Sequence, residues 1–99
     1  MSVRCVIQGV GGYLAARILK TAELERMVET SDSWIRERTG IAKRHIAAEG
    51  EYTSHMAIHA ARKALAHADM DASMVDGIVV ATSTPDSTMP SVASMVQDA

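Results

Sequence analysis

Apolar residues recur along much of the chain at the three- and four-residue spacing of amphipathic helices. Most of these stretches open with Ser, Thr or Asp, which are the residues that commonly cap the first turn of a helix. A glycine follows the second stretch, where a helix is expected to stop. Four helices are therefore predicted, from Thr21 through Val28, from Thr30-Ser31-Asp32 to Gly40, from Thr53-Ser54 to about Ala68, and from Pro90-Ser91 onward.

Three other segments have the composition of strands. Val3–Val10 is rich in β-branched residues and precedes two glycines, and Ile41–Ile46 suits a short, basic, exposed strand. Ile78–Ala81 is a continuous apolar run, which is typical of a central strand covered on both faces. Such a strand needs neighbours and two covering layers. The pattern therefore predicts a layered α/β sheet of which the chain supplies only the first part.

The last two predicted helices indicate that they pack against further elements. The longest one carries a stripe of mostly small side chains, which would permit close approach of another element: Ala57, Ala61, Ala64, Leu65 and Ala68. The final helix has no capping residue at its end, and Ser91–Ala99 would span only about 13 Å. The sequence therefore predicts a truncated fold in which residues 1–99 are one incomplete domain.

Composition narrows the classes of protein that fit. With 99 residues, 47% of them hydrophobic, the chain has the size of one small globular domain. The net charge of −2 and the isoelectric point near 6.0 disfavour a nucleic-acid binder, which needs a basic face. One cysteine, no signal-peptide pattern and no membrane-length apolar run fit a cytoplasmic protein without a membrane partner.

Two features near the N-terminus invite functional interpretations that the sequence does not support. Gly9-Val10-Gly11-Gly12 follows a predicted strand, but a dinucleotide-binding fingerprint needs a further glycine where Leu14 stands. A turn is the better interpretation. Cys5 lies within the apolar segment, where a buried thiol behaves as a small hydrophobic side chain rather than as a nucleophile.

The histidines of the longest helix are a weak candidate for a metal site. His55 and His59 are four residues apart and share a face, and His67 lies two turns further on. A zinc-protease motif would require Glu at the position of Met56, and no third ligand is evident. A solvated polar face is expected instead, so no metal is predicted.

Trp34 and Arg38 form the most informative pair. They are four residues apart, so they meet on one side of the second predicted helix. An indole face and a guanidinium can together hold an aromatic base by stacking and a phosphate by charge-assisted hydrogen bonds. Lys43 and Arg44 add positive charge nearby. Spacing alone nevertheless favours the alternative, in which Trp34 is a core anchor and the arginines are ordinary surface residues.

The same segment carries a family resemblance. The element D-S-W-I-x-x-R-T-G-I lies within TAELERMVETSDSWIRERTGI, which follows GGYL and precedes RHIAAEGE and GIVVATSTPDSTMPS. Together these stretches resemble the N-terminal part of β-ketoacyl-acyl-carrier-protein synthase III over nearly the whole chain. Three positions depart from the family pattern: Thr21 replaces Asn, Ala15 replaces a proline, and Met89 stands where Phe is common.

The resemblance implies a fold and an activity. The family has the thiolase-like layered α-β-α-β-α fold and is normally a homodimer. It is an acyltransferase that condenses an acyl-CoA primer with malonyl-acyl carrier protein to start type II fatty-acid synthesis, with acyl-CoA as a substrate and no separate cofactor. The resemblance implies that the family's catalytic Cys, His and Asn lie outside this chain, and Cys5 does not match the nucleophile.

The resemblance also assigns residues to sites. Trp34 would contact the adenine of CoA and Arg38 its phosphates, with Thr30 and Thr39 nearby. Met89 would lie at the dimer contact, where it closes the partner's acyl pocket. No catalytic residue and no metal ligand is assigned within the chain.

Two alternatives stay open beside this assignment. A related condensing enzyme of secondary metabolism would share the CoA-binding signature. A non-catalytic dimerisation or binding piece would also fit, because the chain contains no matching nucleophile. The sequence that follows Ala99 would separate these alternatives, since a cysteine at the start of the continuing helix supports an enzyme.

We expect residues 1–99 alone to show no malonyl-dependent condensation. The reaction needs an activated thiolate and a site that stabilises the developing enolate, and the chain supplies neither. The measurement is formation of condensation product, with Cys5→Ser as the control. Product formed above the level of that control would contradict the prediction.

Overall fold

A computed structural model describes residues 2–99 of the chain. They form two compact units, one comprising the segment up to Tyr13 together with Glu51–Ala99, and the other comprising Leu14–Gly50. The regular elements, in chain order, are β1 (Arg17–Lys20), α1 (Thr21–Leu24), α2 (Asp32–Thr39), β2 (Lys43–Ile46), α3 (Thr53–Ala68), a 3₁₀ turn (Ala72–Met74) and α4 (Val92–Asp98).

The Leu14–Gly50 unit is built on a two-stranded antiparallel sheet. β1 pairs with β2 so that Arg17 lies opposite Ile46 and Lys20 opposite Lys43. Thr21 is fully buried at the end of this ladder, where its amide and its hydroxyl both donate to the Ala42 carbonyl, at 3.0 and 3.1 Å. A buried hydroxyl must keep a partner, so this pair of bonds fixes the exit of β1 into α1.

The other unit is organised along α3. The predicted close approach to the small-residue stripe is confirmed, and the approaching element is the N-terminal segment. A Cβ atom added to Gly9 would lie 2.6 Å from the Ala64 carbonyl oxygen and 2.8 Å from the Ala68 Cβ. Gly11 approaches the α3 backbone even more closely. The Val10 amide between them donates to the His67 ring, at 3.0 Å.

These glycines are not in the turn that the sequence suggested. The described glycines with positive φ are Gly40 and Gly50, so Gly9, Gly11 and Gly12 do not need glycine's freedom of φ. Gly9 and Gly11 are glycines because any larger side chain would meet the helix backbone.

Two of the predicted strands are absent from the regular structure of residues 2–99. Neither Val3–Val10 nor Ile78–Ala81 forms a ladder, and Val3 and Val79 are 95% and 96% exposed. A strand exists only when a neighbour pairs with its backbone groups, and neither segment pairs with another described segment. The Cys5 thiol is consequently exposed, not buried as the sequence predicted.

The helices agree better with prediction. α2, α3 and α4 lie where the capping residues and periodicity put them, and the strand predicted over Ile41–Ile46 is present as β2. The first helix is shorter than expected, because after Leu24 the Arg26 and Met27 amides bond three residues back, as in turns, and not four. β1 was not predicted. No helix in the described range 2–99 is long and apolar enough to cross a membrane.

We expect Gly9→Ala to lower the free energy of unfolding by about 1–3 kcal/mol, the usual cost of forcing atoms into a packed site. Gly12→Ala is the matched control, because nothing lies within 4 Å of its added Cβ, and its effect should stay within about 0.5 kcal/mol. Chemical denaturation of a full-length protein that carries this segment measures both. Equal losses would show that contact with α3 does not explain Gly9.

Candidate functional site

Helix α2 is held at both ends by the residues that the sequence indicated. The Ser31 hydroxyl accepts the Trp34 amide at 3.1 Å, and the backbone of Ser31 is extended, as an N-cap requires. At the other end Gly40 adopts φ 71°, a left-handed conformation, and its amide donates to the Arg36 carbonyl. Local chemistry therefore fixes both the start and the end of the helix.

The structure brings Trp34 and Arg38 together on α2. The Arg38 Cζ atom lies 5.0 Å from the centre of the Trp34 ring, within the range of a cation–π contact. Trp34 is 53% exposed, whereas its neighbour Ile35 is only 6% exposed and belongs to the core of this unit. Within residues 2–99, Ile35 and not Trp34 anchors the helix. This argues against the core-anchor alternative.

The two threonines of the predicted site lie at opposite ends of α2. Thr30 shares a shallow surface depression with Trp34, Ser31 and Glu29, and its hydroxyl bonds to no other residue within the described range. The Thr39 hydroxyl donates to the Ile35 carbonyl at 2.7 Å and accepts the Ile41 amide at 3.1 Å. Thr30 is therefore placed with the indole, whereas Thr39 serves to close the helix.

The two arginines of α2 differ in their electrostatic surroundings. Arg36 Nε makes an ion pair with Asp32 Oδ2 at 2.8 Å, one turn back along the helix. Arg38 forms no ion pair with an acidic side chain among residues 2–99. Its charge is therefore offset less than that of Arg36, which makes Arg38 the better of the two for an anionic ligand.

Met89 lies in the other compact unit, in the loop that precedes α4. Its side chain is 83% exposed, and its carbonyl accepts the Ser87 hydroxyl at 3.1 Å. An apolar side chain with that exposure contributes little to the core of its own unit.

The loop before Met89 is tied to the N-terminus of α3 by residues that sequence reasoning missed. Asp86 accepts two hydrogen bonds from Ser54, one from the backbone amide at 2.8 Å and one from the hydroxyl. The bond from the hydroxyl does most to hold the pKa of Asp86 below its ordinary value, although partial burial acts in the opposite direction. The predicted cap at Thr53-Ser54 is therefore wrong in detail. The N-cap is Tyr52, and the Ser54 amide donates its hydrogen bond to Asp86.

The α3 histidines have structural partners. His55 accepts the Tyr52 amide at 3.0 Å, and His67 accepts the Val10 amide. His59 stacks on Tyr13, with ring centres 4.9 Å apart. In the described part of the chain, no three His, Cys, Asp or Glu side chains are grouped so that they could hold a metal ion.

Comparison with known proteins gives one consistent result. The chain is 60% identical over 97 residues to β-ketoacyl-acyl-carrier-protein synthase III of Rhodobacter capsulatus, covering 98% of this chain and 30% of that protein. The solved structure of 3-oxoacyl-acyl-carrier-protein synthase III from Aquifex aeolicus VF5 matches 93% of the chain and 30% of its own, with TM-score 0.83 and 44% identity. Over nearly its whole length the chain is similar to a segment of β-ketoacyl-acyl-carrier-protein synthase III.

A second solved structure widens the range of similar enzymes. The priming β-ketosynthase of the R1128 polyketide pathway matches 93% of the chain and 28% of its own, with TM-score 0.83 and 33% identity. No family model matches the chain. The chain spans about 30% of the length of the curated synthases it matches, at their N-terminal end. The thiolase-like fold class predicted from the sequence is confirmed for this segment.

We expect Trp34→Ala to lower the free energy of unfolding of a full-length synthase III carrying this segment by less than about 1 kcal/mol, as for an exposed side chain. Ile35→Ala is the matched control on the same turn, and its loss should be about 2–5 kcal/mol. Denaturant titration of both variants provides the measurement. A loss for Trp34→Ala as large as that for Ile35→Ala would restore the core-anchor alternative.

Proposed function

We propose that residues 1–99 are the CoA-binding segment of a β-ketoacyl-acyl-carrier-protein synthase III. The complete enzyme would condense an acyl-CoA primer with malonyl-acyl carrier protein and so start type II fatty-acid synthesis. The observation that carries the proposal is the exposed Trp34–Arg38 pair on α2, in a segment 60% identical to such a synthase.

The pair would hold the nucleotide end of CoA. The Arg38 guanidinium lies over one face of the indole, which leaves the other face for stacking of the adenine. Stacking of a base on an aromatic side chain contributes about 1–3 kcal/mol. Arg38, which has no ion pair in the described part of the chain, would donate to a CoA phosphate. The Thr30 hydroxyl, beside the indole, would add a hydrogen bond.

Thr39 has a different role in this proposal. Its hydroxyl is occupied by the Ile35 carbonyl and the Ile41 amide, so it would shape the end of α2 next to Arg38. Thr39 then acts on CoA through the position of Arg38 more than through a bond of its own.

The segment would bind substrate without making or breaking bonds. We assign no catalytic residue to it, and the exposed Cys5 is not matched to the family's nucleophile. Thioester exchange and decarboxylation would be performed by residues elsewhere in the enzyme. The proposal includes a cytoplasmic homodimer with no separate cofactor, in which Met89 lies at the dimer contact and closes the acyl pocket of the partner.

A priming condensing enzyme of secondary metabolism is the second candidate. It is favoured by the likeness to the priming β-ketosynthase of the R1128 pathway, at 33% identity. Both candidates use the same nucleotide site in our proposal. They are distinguished by which carrier protein the complete enzyme accepts, that of fatty-acid synthesis or that of a polyketide pathway.

We expect Trp34→Ala to raise KM for acyl-CoA about ten-fold with little change in kcat, in a full-length synthase III carrying this segment. Binding energy from the remote nucleotide end is the same in the ground and transition states, so its loss appears in KM. KM for malonyl-acyl carrier protein should change less, because that substrate has no adenine. Steady-state kinetics with each substrate varied in turn gives both values.

Arg38→Ala should also raise KM for acyl-CoA, and its difference from wild type should shrink as ionic strength rises, because salt screens the phosphate contact. Arg36→Ala is the matched control on the same helix, since the Arg36 guanidinium pairs with Asp32 and does not lie over the indole. Its KM should stay within about two-fold of wild type, well under the 1.4 kcal/mol that corresponds to a ten-fold change. Unchanged KM in both Trp34→Ala and Arg38→Ala would overturn the proposed site.

A further inference from the structure

The loop between residues 82 and 90 is held to α3 by three hydrogen bonds from two adjacent residues. Ser54 donates its amide and its hydroxyl to the Asp86 carboxylate, and the Thr53 hydroxyl donates to the Thr84 carbonyl at 2.6 Å. Ser54 is 5% exposed, so the tie is made at a protected point. We call these bonds the α3 tie.

The rest of the loop is organised locally around the α3 tie. The Thr84 amide donates to the Thr82 hydroxyl at 3.1 Å, and the Ser87 hydroxyl donates to the Met89 carbonyl. The Met89 side chain is 83% exposed and has little packing of its own within the described chain. Within the described chain its position is therefore set by the backbone of the loop, and the loop is anchored three residues earlier, at Asp86.

We infer that Asp86 and Ser54 are positioning residues that set primer selectivity by fixing the place of Met89. The inference rests on the proposed role of Met89 in closing an acyl pocket. A side chain that closes a pocket discriminates between acyl chains by where it stops them, and a methylene at such a position changes relative rates by about 10–200-fold. A displacement of the loop would change which acyl chains the pocket accepts, and it would not move any reacting group.

The chemistry of the tie suits this task. A carboxylate that accepts two hydrogen bonds from one residue fixes orientation as well as distance, and bonds to a charged acceptor are stronger than neutral ones. The lowered pKa of Asp86 keeps it ionised near neutral pH. The carboxylate therefore remains an acceptor for both hydrogen bonds from Ser54 near neutral pH.

The test compares variants of a full-length synthase III carrying this segment. The readout is the selectivity ratio, defined as kcat/KM for a longer acyl-CoA primer divided by kcat/KM for acetyl-CoA. Met89→Ala gives the reference change. We expect Asp86→Ala to change the ratio at least five-fold, and Asp86→Asn, which keeps one acceptor for the Ser54 amide, to stay within two-fold of wild type. Ser54→Ala, which removes only the hydroxyl bond, should give an intermediate change.

Asp71→Ala is the matched control. Asp71 accepts the Ser73 amide at 2.9 Å at the start of the 3₁₀ turn, so it also caps a local turn, but outside the Met89 loop. It should leave the selectivity ratio unchanged whatever it does to Tm. The double variant Asp86→Ala/Met89→Ala should have the ratio of Met89→Ala alone, because Asp86 acts through Met89 and the two effects do not add.

The outcomes separate the two proposals. If Met89→Ala changes the ratio and neither Asp86→Ala nor Ser54→Ala does, the tie has no positioning role while the proposed role of Met89 stands. If the Asp86 and Met89 effects add in the double variant, the tie acts by another route and the inference fails. If Met89→Ala leaves the ratio unchanged, the proposed role of Met89 is wrong and the inference falls with it. If Asp86→Ala fails to fold, the selectivity ratio of Ser54→Ala is compared with that of wild type in its place, and an unchanged ratio counts against the positioning role.

Discussion

Small side chains on one face of α3 let the N-terminal segment approach the helix backbone so closely that positions 9 and 11 must be glycine. The unit that contains α3 depends on this approach, because the same helix also receives the tie from Asp86 at its N-terminus and packs against α4. Backbone-to-backbone contact of this kind leaves no room for compensation by a change of rotamer. α3 is accordingly the fixed element to which the other segments of its unit are fitted.

The Leu14–Gly50 unit holds a large aromatic side chain, Trp34, at its surface without burying it. Ile35 anchors α2, and the caps at Ser31 and Gly40 fix where the helix begins and ends. Trp34 then lies outside the core, with Arg38 one turn away over its ring. The proposed nucleotide site therefore costs the unit little stability, because the side chains that would bind CoA are not those that hold the helix in place.

In the proposed synthase, binding and selectivity would be divided between the two units of this segment. Binding of the CoA nucleotide would belong to α2, whereas acyl-chain selectivity would belong to the loop that carries Met89. Each would depend on a hydrogen-bonded anchor, which is the Ser31 cap for the first and the Asp86 carboxylate for the second. Changes at such anchors would move affinity or selectivity while leaving the chemical step unaltered.

Much of the site follows from the sequence because its causes are local. The Ser31 cap, the Gly40 stop and the four-residue spacing of Trp34 and Arg38 all act within a few turns of one helix. The resemblance to synthase III was also evident from the sequence, because the element D-S-W-I-x-x-R-T-G-I is specific. Whether Trp34 was exposed could not be decided in this way, since helical spacing does not say which face meets the core.

Other features were decided only by tertiary structure, because they join residues far apart in the chain. β1 is a strand because β2 pairs with it, and Val3–Val10, with a stronger strand composition, lacks such a partner within residues 2–99. Asp86 accepts a hydrogen bond from the Ser54 amide in the first turn of α3, 32 residues away in the chain, and no local pattern indicates this. The sequence by itself determined the places of α2, α3 and α4 and the position of Trp34 and Arg38 on the same helix. Pairing, close approach and exposure required the folded chain, since each depends on which distant backbone comes to lie alongside.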